Sequence, residues 1–166
     1  MVILVNVNTV YLILGSNLDN PKKQIDTAKL LILENIGTIV RESSIYQSPP
    51  WGFESATDFL NIIVVVKSDL EATQVLSKCL AIEQTMGRQR VHTGYESRNI
   101  DIDILFFNLD IVEAKNLTIP HPRLHQRRFT LLPINELEPD LIHPKLKLPI
   151  WKLLRNCKDQ SIVKKI

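Results

Sequence analysis

The sequence predicts an α+β fold of one domain, a sheet carrying two helices on one face, and three patterns lead there. Apolar or β-branched runs occupy residues 9–14, the region near 38–47, residues 59–66 and residues 99–107. Between them, 21–36 and 71–86 repeat their apolar residues at helical spacing. With 166 residues, 45% hydrophobic and 23% charged, the chain can fill one core, and no linker or repeat divides it. A single domain over 1–166 is expected. The order β-α-β-β-α-β is that of a ferredoxin-like sandwich, with further C-terminal strands and helices after it.

Each element has a local reason. The first strand stops at the turn residues Gly15-Ser16-Asn17. Asp19 or Asn20 can cap a helix that starts on Pro21, buries Ile25, Ala28, Leu31, Ile32 and Ile36, and ends at Gly37. A strand near 38–47 leads to the loop SPPWGFES at 48–55 and to the very apolar strand of 59–66. The second helix buries Ala72, Val75, Leu76, Cys79, Ile82 and Met86, and Gly87 closes it. A basic loop at 88–98 precedes the alternating strand NIDIDILFF. A hairpin-like stretch at 106–119 and the segment PHPRLHQRRF lead into a short helix.

Composition excludes several function classes. A net charge of +2 gives no overall field to recruit nucleic acid or a membrane. Cys79 and Cys157 are too few and too far apart for a disulfide framework, so a reduced, cytoplasmic chain is expected. The apolar start lacks a basic region and carries Asn6 and Asn8, which reads as strand and not as a signal peptide. No run approaches the ~20 apolar residues of a spanning helix. The charge is nevertheless uneven: six of the eight arginines fall between 88 and 128.

The sharpest motif is Ile100-Asp101-Ile102-Asp103-Ile104. Side chains alternate along a strand, so the isoleucines enter the core while both carboxylates share the other face, their Cα atoms about 6.5–7 Å apart. Such a pair either decorates a solvated strand edge or holds a cation. Its neighbours favour the second reading. Arg88, Arg90, His92 and Arg98 precede it, and His121, Arg123, His125, Arg127 and Arg128 follow without an acid among them. Oxygen ligands among arginines suit Mg²⁺ with a polyphosphate.

The five glycines form neither G-x-x-x-x-G-K-[ST] nor G-x-G-x-x-G, so a phosphate chain would be met by side chains and metal and not by backbone amides. His121 and His125 could bind zinc, but Pro122 and the lack of a third ligand favour phosphate contact or capping. The Pro-Pro loop is either a packed connector or one wall for a flat heterocycle, with Trp51, Phe59 or Phe129 stacking on it. Asn61, polar within an apolar strand, suits the edge of a pterin or purine. A non-catalytic RNA-binding module and a metal-dependent phosphohydrolase are the competing classes. The first conflicts with acids on the open sheet face.

Taken together, GSNL at 15–18, SSIYQSPPWG at 43–52, DFLNIIVVV at 58–66, MGRQR at 86–90, RNIDIDIL at 98–105 and PHPRLHQRRFTLLPINELEPD at 120–140 resemble the 6-hydroxymethyl-7,8-dihydropterin pyrophosphokinase family. The resemblance covers residues 10 to 150 in order. It implies a ferredoxin-like α/β sandwich that moves the β,γ-pyrophosphoryl group of ATP onto the pterin hydroxymethyl group in folate biosynthesis, leaving AMP. It implies two Mg²⁺ ions on Asp101 and Asp103, and Arg88 and Arg98 as catalytic phosphate-side residues, with Arg88 on a closing loop. Glu83 (as an outer contact), Arg90, Tyr95, Arg98, Ile104, His121 and Arg127 would bind ATP. Ser48, Pro49, Trp51, Phe59, Asn61 and Phe129 would form the pterin pocket, with Phe59 and Phe129 sandwiching the ring. Partners would be these two small molecules, with no nucleic acid and no membrane, and the chain a monomer. Residues 1–9 and 156–166 carry no role in this reading.

Overall fold

The computed structural model describes residues 6–87 and 99–166. Its central sheet has six strands: β1 (Asn8–Ser16), β2 (Thr38–Glu42), β3 (Tyr46–Ser48), β4 (Phe59–Ser68), β5 (Asp101–Phe107) and β8 (Lys164–Lys165). The order is β5-β1-β4-β3-β8, with β2 also on β4, and all of these pairings are antiparallel. Helices α1 (Pro21–Asn35) and α2 (Ala72–Thr85) connect the strands in the expected order. After the hairpin of β6 (Val112–Ala114) and β7 (Leu117–Ile119) come α3 (Arg128–Leu137) and α4 (Ile150–Asn156). Among the described residues no helix is long and apolar enough to cross a membrane.

The sequence signals act largely as expected. The Asn20 side chain accepts the Lys23 N–H at 3.1 Å, and Pro21 opens α1. Gly87 has φ +92, the left-handed geometry that closes α2. Gly37 works differently, because a Cβ there would lie 2.1 Å from the Lys67 carbonyl oxygen. The need is for close backbone approach, not for a left-handed turn. The single strand expected near 38–47 is two strands. Between them Ser43 bonds Ile63 twice: its N–H donates to the Ile63 carbonyl at 2.9 Å and its hydroxyl accepts the Ile63 N–H at 3.0 Å. A serine hydroxyl thus replaces one carbonyl of the ladder, and β2 and β3 run on as one interrupted strand along β4.

Registry decides which residues share a face. One face carries Leu12, Leu14, Ile62, Val64, Ile102 and Ile104 and is buried with Ile25, Ile32, Val75 and Ile82 of α1 and α2. The other carries Tyr11, Ile13, Ile63, Val65 and Leu105, buried with Leu131 and Ile134 of α3 and Ile150 and Leu153 of α4. At roughly 1.5–3 kcal/mol per fully buried side chain, these two layers dominate the stability. The second face continues past the edge of α3 as Gly15, Asn61, Asp101 and Asp103.

Candidate active site

The exposed end of that face is the floor of an open cavity lined by Ser48, Trp51, Phe53, Phe59, Asn61, Asp101, Arg127 and Phe129. Strand pairing assembles it. Asn61 of β4 stands opposite Gly15 of β1 and Tyr46 of β3, and Gly15 stands opposite Asp101 of β5. Gly15 leaves room for the floor, since a Cβ there would lie 3.1 Å from Asn61 Oδ1 and press on that amide. The buried Asn61 amide donates to Ser48 Oγ at 2.8 Å, which fixes both polar groups against the floor. The mix of aromatic walls and convergent polar groups suits a small heterocycle.

Aromatic and cationic groups form the walls. Phe53 meets Phe59 edge-on, ring centres 5.9 Å apart. The Arg127 guanidinium carbon lies 4.7 Å from the Trp51 ring centre and 5.7 Å from that of Phe129. Asn17 anchors the aromatic loop: its amide donates to Thr57 Oγ1 at 3.2 Å and Ser55 Oγ at 3.4 Å, and its carbonyl accepts the Thr57 hydroxyl at 3.0 Å.

Asp101 and Asp103 project from the same face, both half-buried, while Ile102 and Ile104 point into the core beneath the helices. His121 lies beside them, its Nε2 3.8 Å from Asp103 Oδ2. The Arg123 backbone N–H donates to His121 Nδ1 at 3.1 Å. A neutral ring therefore carries its proton on Nε2, toward Asp103. Burial, then the Arg127 charge, push the His121 pKa down to about 4, against the opposing pull of Asp101. This imidazole is neutral at pH 7. Among the described residues no three His, Cys, Asp or Glu side chains form a ready metal cluster. Two carboxylates on one strand face, Asp101 of them lining the cavity, are nevertheless the donor set that Mg²⁺ takes when a substrate's phosphates complete its shell.

The structure brings together most of the residues singled out from sequence. Five of the six pterin-side residues line the cavity, and Pro49 is not among its lining. Arg127, expected on the nucleotide side, stands in the cavity wall. Glu83 was expected as an outer contact, yet it is 1% exposed and its Oε1 accepts the Ile102 N–H at 2.8 Å. It holds the strand that carries both aspartates. The Ile104 side chain packs in the core under α1 and α2, opposite the carboxylates, because the alternation that exposes Asp103 buries its neighbour, so only its backbone is left to face a nucleotide. Arg88, Arg90, Tyr95 and Arg98 lie outside the described residues. Sequence reasoning missed Phe53, Gly15 and Asn17 as parts of the site, although all three lie in the turn and loop segments that point to it.

Residues 11–139 match the family described as 7,8-dihydro-6-hydroxymethylpterin-pyrophosphokinase. A 2-amino-4-hydroxy-6-hydroxymethyldihydropteridine pyrophosphokinase from Porphyromonas gingivalis is 37% identical over 143 residues, covering 84% of this chain and 97% of that protein. Its counterpart from Haemophilus influenzae is 33% identical over 157 residues, covering 94% and 97%. A Plasmodium falciparum HPPK-DHPS crystal structure superposes with a TM-score of 0.74 over 91% of this chain at 20% identity, a likeness of fold. This chain spans 44% of that longer one. With the family match covering most of the sheet and the whole cavity, the chain belongs to the 7,8-dihydro-6-hydroxymethylpterin-pyrophosphokinase family.

Proposed function

We propose that the chain transfers the β,γ-pyrophosphoryl group of ATP to the hydroxymethyl group of 6-hydroxymethyl-7,8-dihydropterin, giving AMP and the pterin diphosphate. The observation that carries the assignment is that Asp101 belongs both to the carboxylate pair and to the lining of the heterocycle cavity. An acceptor ring bound in the cavity therefore lies beside the phosphate and metal side. Mg²⁺ held by Asp101 and Asp103, two ions in this reading, would supply charge neutralisation along the phosphate chain.

The protein's own residues bind, orient and exclude water. Phe59 and Phe129 would sandwich the pterin between them, with Trp51 and Phe53 closing the sides. Asn61 and Ser48, locked to each other, would read its polar edge. That pose would turn the hydroxymethyl group toward Asp101, and holding reactants in that way is worth several orders of magnitude in rate. Arg127 stands at the boundary of ring and phosphates. Neutral His121 offers an Nε2–H as a donor beside Asp103, without adding charge repulsion toward an incoming cation. Arg88 and Arg98 would stabilise charge in the transition state, while Arg90 and Tyr95 would complete the nucleotide site. Glu83 holds β5 in register beneath them. With Asp101 and Asp103 both on metal, neither would be free to act as a strong base.

Incubation with ATP, Mg²⁺ and the hydroxymethyl-dihydropterin should release AMP stoichiometrically with pterin consumed. AMP formed equally without pterin would sink the transfer reading and leave a nucleotide hydrolase.

A further inference from the structure

We propose that the C-terminal segment 157–166 is a strap that sets both walls of the pterin cavity, with Asp159 as its positioning residue; this rests on the pterin-binding reading above. The segment leaves α4 and passes the start of α3. There Asp159 Oδ2 accepts the Arg128 N–H at 2.9 Å, while Oδ1 accepts the Ser161 N–H at 2.9 Å and its hydroxyl at 2.5 Å. Arg128 stands between Arg127, stacked on Trp51, and Phe129 of the cavity wall. Helix α3 has no side-chain cap of its own, because its N-cap residue, Arg127, makes no such bond. Asp159 supplies the missing acceptor and a negative charge from thirty-one residues downstream.

The segment then reaches the opposite wall. Its strand β8 pairs with β3, Lys165 against Tyr46 and Lys164 against Gln47, and the Ile166 N–H donates to the Ile45 carbonyl at 3.0 Å. The Lys165 ammonium lies 3.5 Å from Glu136 of α3, whose carboxylate also accepts the Ser44 N–H and hydroxyl and the Tyr46 hydroxyl. Strand β3 ends on Ser48, the partner of Asn61. One ten-residue tail therefore ties the helix start that aims Phe129 and Arg127 to the strand that aims Ser48. Burial would raise the Asp159 carboxyl, but the bonds from Ser161 and the Arg128 N–H outweigh it and hold the group below its usual range. The tail lies beyond residues 11–139, where the family match ends.

The test compares full-length Asp159→Ala, Asp159→Asn and Ile166→Pro with the unaltered chain, measuring KM for pterin and for ATP, kcat and Tm. Asp159→Ala should raise the pterin KM about 5–10-fold, the scale of one lost helix cap, with the ATP KM within about twofold of its original value. Asp159→Asn should recover most of this, since an amide oxygen accepts the same N–H. Ile166→Pro, which deletes one terminal ladder bond, should raise the pterin KM about twofold at unchanged Tm. The strap is overturned if Asp159→Ala leaves the pterin KM unchanged, if both KM values and Tm move together, or if Asp159→Asn is no better than Asp159→Ala. Should Asp159→Ala not fold, Ile166→Pro decides, and an unchanged pterin KM there overturns the proposal. Failure of the underlying reading is distinct, since the unaltered chain would then show no pterin-dependent AMP.

Discussion

Two ends of one sheet face have opposite fates. At one end Ile13 and Ile63 stand opposite each other and, with Leu105, are sealed beneath α3 and α4. Two residues further along β1 and β4, and at the matching end of β5, stand Gly15, Asn61 and Asp101 in the floor of the cavity. The backbone pairing is continuous from one end to the other. What changes is the side chains and where α3 stops covering them, so rigidity made at the sealed end is delivered to the polar groups at the open one. The two ends should therefore respond to mutation in different observables.

The largest effect is expected at the open end. Asp101→Ala and Asp103→Ala should each lower pterin-dependent AMP formation by about 10²–10³-fold, the scale for deleting one preorganised electrostatic group, with Tm essentially unchanged. Near-original turnover in either variant would remove that carboxylate from the metal assignment. The sealed end should show the inverse pattern. Ile63→Ala, at a position with no exposure, should cost about 2–5 kcal/mol in urea unfolding while the folded protein keeps both KM values. A loss of activity larger than the unfolded fraction explains would mean that the two ends are mechanically coupled.

A smaller effect tests the boundary between the ends. Phe129 is partly buried, packs at the margin of the sealed cluster, and lines the cavity. Phe129→Ala should raise the pterin KM about tenfold, as expected for losing one aromatic wall, with little change in the ATP KM. An equal rise in both would place Phe129 in general packing and not in pterin recognition.

Which parts of this division the sequence discloses follows from the range of the forces. The alternation of Asp101 and Asp103 with isoleucine is local, so both the strand and its two faces are legible in five residues. The helix caps are also local. The bonds that finish the site are not. Ser43 interrupting a strand by bonding Ile63, Arg127 crossing to the cavity wall, and Asp159 capping α3 each depend on chain segments brought together only by folding. No periodicity marks them. Glu83 illustrates the same limit: as a charged residue on an amphipathic helix it reads as exposed, yet tertiary packing buries it under the Ile102 N–H. Ile104 is the opposite case, because the strand alternation that is legible for its neighbours already puts its side chain in the core.

The smallest expected effect contrasts two histidines, one at each end. His121 is buried beside the carboxylates of the site, whereas His143 packs edge-on against Phe106 at the sealed end, ring centres 5.7 Å apart. His143 Nδ1 accepts the backbone N–H groups of Lys145 and Leu146 at 3.3 and 3.1 Å, so the turn requires the neutral ring. Burial, then the neighbouring His125 and Lys145, push its pKa down to about 4. The unfolded chain would protonate this histidine near pH 6.5, and the folded chain only near pH 4. Unfolded molecules thus bind more protons between those values, and stability falls as pH falls through that window. His143 should account for about 2 kcal/mol of stability lost between pH 7 and pH 5. His143→Asn keeps an acceptor for the two N–H groups but does not titrate. Its unfolding free energy should therefore fall less steeply over that interval, with the pterin KM untouched because the change is confined to the sealed end. Identical slopes for the two proteins would show that the titration controlling acid stability lies elsewhere, with His121 at the open end the next group to replace.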